Sequence, residues 1–192
     1  MYRACPELSR AQAPDFAYSR QYRTRYQGIS LRSLRIVAES SPIDQTDRRL
    51  LRALQADGRA AVTGLADTLG LSATPCLRRL RRLEEAGVIT GYRAEIEPRS
   101  IGLHVQAFVQ VSLTSHAEEL VDAFHRALAA RPEVVAAYAM SGEMDYLLHI
   151  LVRDLDAYGE FAMKALLRMP GVKETRSSFV LGVPKAPAGV PI

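Results

Sequence analysis

The chain has 192 residues, of which 48% are hydrophobic and 24% charged, with a formal net charge of +4. That is ordinary globular composition, enough for one or two domains that each bury a core. No run of about 18 apolar residues occurs, so no transmembrane helix or membrane partner is expected. The first residues lack the apolar core of a secretory signal. The two cysteines, Cys5 and Cys76, speak against a disulfide scaffold or cysteine-rich zinc site and for the cytoplasm.

Charge is unevenly spread: +4 over residues 1–41, +2 over 42–104 and −2 over 105–192. A basic front and an acidic rear suggest a polyanion for one half only. Residues 1–41 read as a disordered basic extension. Pro6 and Pro14 break any helix, and no sustained period appears before Ile29. Start-codon choice is the other explanation, since no Met lies between Met1 and Met140 and a start at Val37 would leave little before the first helix.

Residues 42–98 read as a winged helix-turn-helix. Asp44, with Asp47 three residues on, caps a helix carrying Leu50, Leu51 and Leu54, which Gly58 ends. Thr63 caps a short second helix with Leu65, Ala66 and Leu69, and Gly70 stops it. Ser72 caps a third that runs to about Glu85 and ends at Gly87. Helix, tight glycine turn, helix is the helix-turn-helix pattern. Short alternating stretches from Val88 to Ile96 then fit a β-hairpin wing.

Residues 99–104 form a linker, punctuated by Gly102. Residues 105–183 carry an internal repeat, and residues 184–192 a tail. Ala107, Val109, Val111 and Leu113 alternate as a strand, and Leu120, Phe124 and Leu128 stripe a helix. A second strand is predicted to about Ser141. Tyr146 to Val152 is a nearly continuous apolar run, expected as a buried strand. A second helix carries Tyr158, Phe161, Ala162, Ala165 and Leu166, and a last strand runs to Leu181. The two Pro-x-Val signals lie 38 residues apart. The fold class is α+β: a winged helix-turn-helix joined to a ferredoxin-like βαββαβ domain, with four antiparallel strands and two helices on one face.

At about 100° per residue, the third helix puts Cys76, Leu80 and Leu83 on one stripe. Arg78, Arg81 and Arg82 face the other way, Thr74 and Pro75 project to that side, and Arg79 sits on the flank. Four arginines within five positions repel each other, with nothing acidic near on the helix until Glu84. Alone, such a run reads as a solvated face. On the second helix of a helix-turn-helix it reads as a surface for double-stranded DNA. Ser72, Thr74 and Pro75 then meet base edges while Arg78, Arg79 and Arg82 reach guanine edges or phosphate. Pro75 is tolerated because first-turn amides have no intrahelical partner.

Ile43-Asp44-x-x-Asp47, Leu50-Leu51, Leu54-Gln55-x-Asp57-Gly58-Arg59, Leu65-Ala66, Leu69-Gly70-Leu71-Ser72 and Arg79-x-x-Arg82-Leu83-Glu84-x-x-Gly87-Val88-Ile89 closely resemble the Lrp/AsnC family of bacterial transcription regulators. So do Ser141-Gly142-Glu143-x-Asp145-Tyr146-Leu147-Leu148 and Pro170-Gly171-Val172-x-x-Thr175-Arg176 in the rear half. The resemblance covers residues 43 to about 185 and leaves out the first 41. It implies sheets that pair into dimers, dimers that assemble into larger rings, often octamers, and an amino-acid effector held between effector domains. Gly142, Glu143 and Asp145 match the family's response loop, and Leu155, Ser178, Phe179 and Val180 match further effector-response positions. Ala73-Thr74-Pro75-Cys76 is similar to a subgroup that answers sulfur-containing and branched-chain amino acids.

The loop's own chemistry agrees. Gly142 permits close backbone approach, so nearby amides could receive a carboxylate, and Asp145 could pair with an ammonium group. A plain tight turn between adjacent strands accounts for the same residues, and one turn can serve both ends.

His104, His116, His125 and His149 show no metal-ligand spacing, and Cys76 on the apolar stripe reads as a buried thiol rather than a redox sensor. No nucleophile–base motif or phosphate loop appears, so neither catalysis nor a cofactor is expected. The expected function is a sequence-specific DNA-binding regulator modulated by an amino acid, with dimeric heads reading half-sites about one helical turn apart. The alternative is a small-molecule-binding module whose helix-turn-helix is vestigial or contacts protein.

Overall fold

The computed structural model describes residues 43–192. The expected basic extension over residues 1–41, and the alternative start at Val37, lie outside them. The described chain divides into two compact bodies, one ending at Gly91 and one running from Tyr92 to Pro191. The division falls ahead of the boundary expected at residue 98.

The front body is three helices: α1 (Gln45–Ala56), α2 (Val62–Leu69) and α3 (Ala73–Glu85). Asp44 opens α1 through a reciprocal capping box. Its carboxylate accepts from the Asp47 amide at 2.7 Å, and the Asp47 carboxylate accepts from the Asp44 amide at 3.1 Å. Gly70, at φ 69°, ends α2, and the Leu71 amide returns to the Ala66 carbonyl at 2.9 Å. The turn brings α3 back so that Leu50, Leu65, Ala66, Leu69, Cys76 and Leu83 close one core. Each leucine buried there contributes about 1.5–3 kcal/mol.

Local details depart from the expectation in three places. Thr63 does not cap α2. Ala61 is the residue before the helix and makes no side-chain cap, and Val62 packs on the core, so burial sets this start. Gly58 does not end α1. Asp57 leaves helical space at φ −143° and its side chain accepts from the Arg59 amide at 2.8 Å. Finally, residues 88–97 form no strand. The Val88 and Ile89 amides both donate to the Leu83 carbonyl, at 2.9 and 3.1 Å, while Ile96 is 63% exposed. Val88 and Ile89 pack on the helical core instead, and residues 88–97 are coil where the hairpin strands were expected.

In the rear body, β1 (Val105–Leu113), α4 (Glu118–Ala129), β2 (Val134–Ala139), β3 (Tyr146–Val152), α5 (Leu155–Lys164) and β4 (Val172–Phe179) follow in order. The sheet order is β2-β3-β1-β4 and every pairing is antiparallel, the ferredoxin-like arrangement. β1 sits between β3 and β4, with Val105 opposite Val152, Val111 opposite Tyr146 and Ala107 opposite Phe179. Val109, Val111, Phe124, Leu148, Ile150 and Leu166 lie at the centre of the core. β3 is buried on one face only: Tyr146, Leu148, Ile150 and Val152 face the core, while Leu147, His149 and Leu151 are half-buried on the face without helices. An apolar run thus marked a central strand rather than one covered on both sides. β2 and β4 end at Ala139 and Phe179, short of the expected Ser141 and Leu181.

Gly171 requires its residue type. It has φ 76°, and a Cβ there would stand 2.6 Å from the Leu120 side chain of α4. This close approach seats α4 against the start of β4.

Candidate DNA interface and effector site

α3 buries Cys76 and Leu83 and exposes Ser72, Thr74, Arg78, Arg81 and Arg82, with Pro75 half-buried. Ser72 precedes the first helical residue, but its hydroxyl makes no cap. Burial pushes the Cys76 thiol above its usual range, against a reactive thiolate.

The four arginines do not form one free cluster. Arg79 Nη1 donates to Asp44 at 2.6 Å and to Asp47 at 2.9 Å, and Arg82 Nη2 donates to the other Asp47 oxygen. Asp47 is fully buried, whereas the Arg79 and Arg82 side chains are 28% and 44% exposed. A buried carboxylate persists only when its oxygens are paired, and here two guanidinium groups and the Asp44 amide supply the donors. The site lies at the amino-terminal end of α1, where the helix dipole also favours negative charge. The Asp47 amide, then the Arg79 guanidinium, hold the Asp44 carboxyl below the usual carboxylate range. Asp44 and Asp47 in turn raise the Arg79 pKa. The expectation of four unopposed arginines is therefore corrected: Arg79 and Arg82 are turned onto α1. Among the described residues, Arg78 and Arg81 are the exposed cations of α3 that form no ion pair, whereas Arg82 is exposed but bonded to Asp47.

In the rear body, Gly142 takes φ 136°, and no atom lies within 4 Å of where its Cβ would be. The glycine serves the backbone angle rather than a close approach within the chain. Asp145 is not a free carboxylate. One oxygen accepts from the Leu113 amide at 2.6 Å and the other meets His116 Nε2 at 2.6 Å. Burial raises its pKa, but the Leu113 and His116 contacts outweigh that and leave it lowered. Each oxygen thus has a partner within the chain, because the loop closes over the end of β1.

A cavity of about 330 Å³ opens beside the loop, on the helix-free face. Gln110, Met140, Ser141, Glu143, Met144 and Arg176 line it. Glu143 is exposed, and Arg176 Nε donates to Glu174 at 2.9 Å. Leu155, Ser178, Phe179 and Val180 lie elsewhere. Ser178 and Phe179 pair with Phe108 and Ala107, toward the start of β1, about 13 Å along the strand from Val111 at about 3.3 Å per residue. Leu155 is 61% exposed and Phe179 is 43% exposed, the latter edge-on to Tyr158. One chain does not gather all seven predicted effector residues.

Residues 43–90 match a winged helix-turn-helix DNA-binding domain, and residues 106–190 match the Lrp/AsnC ligand binding domain. The leucine-responsive regulatory protein of Escherichia coli is 39% identical over 139 residues, covering 72% of this chain and 85% of that protein. The chain belongs to the Lrp/AsnC family. The fold neighbours of this Lrp/AsnC protein include a Neisseria meningitidis transcriptional regulator in complex with L-Met, at 38% identity and TM-score 0.75. That likeness covers 78% of this chain and 97% of that one. A feast or famine regulatory protein from M. tuberculosis, complexed with L-methionine, is 33% identical with TM-score 0.70, covering 76% of this chain and 96% of that one. This Lrp/AsnC member is thus a DNA-binding transcription regulator with an amino-acid-responsive rear domain.

Sequence reasoning missed Gln110, Met140 and Arg176 as cavity residues of this regulator. Gln110 pairs with both Leu147 and Arg176 across the sheet, and only the register reveals that these neighbours face the loop. Among the described residues, no cluster of three His, Cys, Asp or Glu groups could hold a metal ion.

Proposed function

We propose that this regulator binds double-stranded DNA through the first half of α3 and senses a zwitterionic α-amino acid at the cavity beside residues 141–145. The observation that carries this is the cavity lining. Glu143 offers a partner for an ammonium group, Arg176 one for a carboxylate, and Met140 and Met144 an apolar, polarizable wall for a side chain. A thioether amino acid suits such a wall, and two relatives hold L-methionine. The reading is of a regulator in the cytoplasm, without catalysis, cofactor or membrane partner.

The functional unit is an oligomer. The helix-free face carries Phe108 stacked on His149 at 4.8 Å and a half-exposed Tyr138, a surface that a second copy would cover to form a dimer. Dimers assembling further, to an octamer, would bring the Leu155 and 178–180 region of one chain to the loop of another. The effector then acts by binding one assembly state better than another. Ser72, Thr74 and Pro75 meet bases, and paired heads read half-sites about one turn apart.

The test is a thermal-shift series with the twenty amino acids, using D-methionine as control. L-methionine is expected to raise the unfolding temperature, because a ligand of the folded state stabilises it. No shift with any amino acid would defeat the sensing reading.

A further inference from the structure

We propose that Asp47 is a specificity-determining residue of DNA recognition: it withholds Arg79 and Arg82 from phosphate, so that α3 offers two free cations where its sequence holds four. This inference rests on the DNA-binding reading of α3. Asp47 is fully buried and both its oxygens are engaged by α3 arginines. Asp44 holds Arg79 as well, at 2.6 Å. Arg78 and Arg81 are exposed.

The consequence follows from how cations act on DNA. A guanidinium that meets phosphate raises affinity for every duplex alike and carries no sequence information. Two arginines pinned to α1 therefore leave unselective affinity low while base-edge contacts are retained. A buried carboxylate that only helped packing would act differently. Its loss would weaken binding to all duplexes together and leave the salt dependence unchanged.

The experiment uses the full chain and two probes: a duplex that the wild type enriches from a random-sequence pool, and a scrambled duplex of equal length. Binding is followed by fluorescence anisotropy over a series of KCl concentrations, with thermal unfolding recorded for each protein. Asp47→Asn is expected to bind the scrambled duplex at least about tenfold more tightly at low salt. Its log–log salt slope should steepen by about 0.9 per released arginine, and its preference for the enriched duplex should fall. Asp47→Asn/Arg79→Gln/Arg82→Gln leaves no unpaired buried charge and is expected to show the wild-type slope.

Weaker binding of Asp47→Asn to both duplexes at an unchanged slope overturns the proposal. So does a flattened slope in the triple variant, which would place Arg79 and Arg82 on DNA already; this arm stands even if Asp47→Asn does not fold. Failure of the wild type to enrich any duplex would overturn the DNA reading, and the proposal with it.

Discussion

The Leu113 amide donates to the Asp145 carboxylate at 2.6 Å, tying the loop between β2 and β3 to the last residue of β1. The Asp145 amide in turn donates to the Val111 carbonyl at 3.0 Å. One residue thus fixes the loop to the central strand twice, once by side chain and once by main chain.

Asp145→Asn is expected to cost about 1–3 kcal/mol, since an amide replaces a charged acceptor at a partly buried donor. The lowered pKa of Asp145 sets the sign of the pH effect. Its stabilisation is present above the unfolded value of about 4 and fades as pH falls through the lower folded value. The gap between wild type and variant in chemical denaturation should be largest near neutrality and close in acid. A gap independent of pH would show that the carboxylate charge is irrelevant.

Much of this was legible in the sequence, and the failures share one cause. The Asp44 cap, the Gly70 turn and the alternation of β1 are local patterns, set within a few residues, and the structure contains all three. The partnership of Asp47 with Arg82 joins α1 to α3, and helical periodicity on either helix alone cannot reveal it. The bonds of Asp145 to Leu113 and His116 were hidden in the same way, because those partners lie on the far side of α4 and β2 in the chain. The hairpin strands expected over residues 88–97 are absent for a related reason. Alternation fits a strand, but a hairpin also needs both arms to bury a common face.

Arg78→Ala and Arg81→Ala should each weaken DNA binding about equally for all sequences and lower the salt slope by about one. Salt-titrated anisotropy reads this directly. If neither variant changes the slope, the exposed face of α3 does not meet phosphate.

At the cavity, Glu143→Gln and Arg176→Gln remove opposite charges from the two ends expected to hold an amino acid. Each should weaken L-methionine binding by about 10- to 100-fold, as loss of a charge-assisted hydrogen bond worth about 1.5–3 kcal/mol implies. Isothermal titration measures the change. Full affinity in both variants would move the ligand elsewhere.

Gly171→Ala combines a left-handed backbone angle with a Cβ set 2.6 Å from Leu120. A loss of about 1–3 kcal/mol is expected from the backbone alone, with a further penalty for moving Leu120. Gly171→Ala/Leu120→Ala should recover only the steric part. A double-mutant cycle by urea denaturation separates the two, and additive effects would mean that the clash is relieved at no cost.

The pairing of Arg79 and Arg82 with α1 also changes what a charge tally means for this molecule. The formal count treats every arginine as available to solution, yet two of them already belong to an internal ledger of the fold. A substitution that exchanged Asp47 for a neutral residue would change the formal charge by a single unit, yet it would free Arg82 and leave Arg79 on Asp44 alone. Relatives compared by net charge would look almost alike while differing in how firmly they cling to arbitrary DNA.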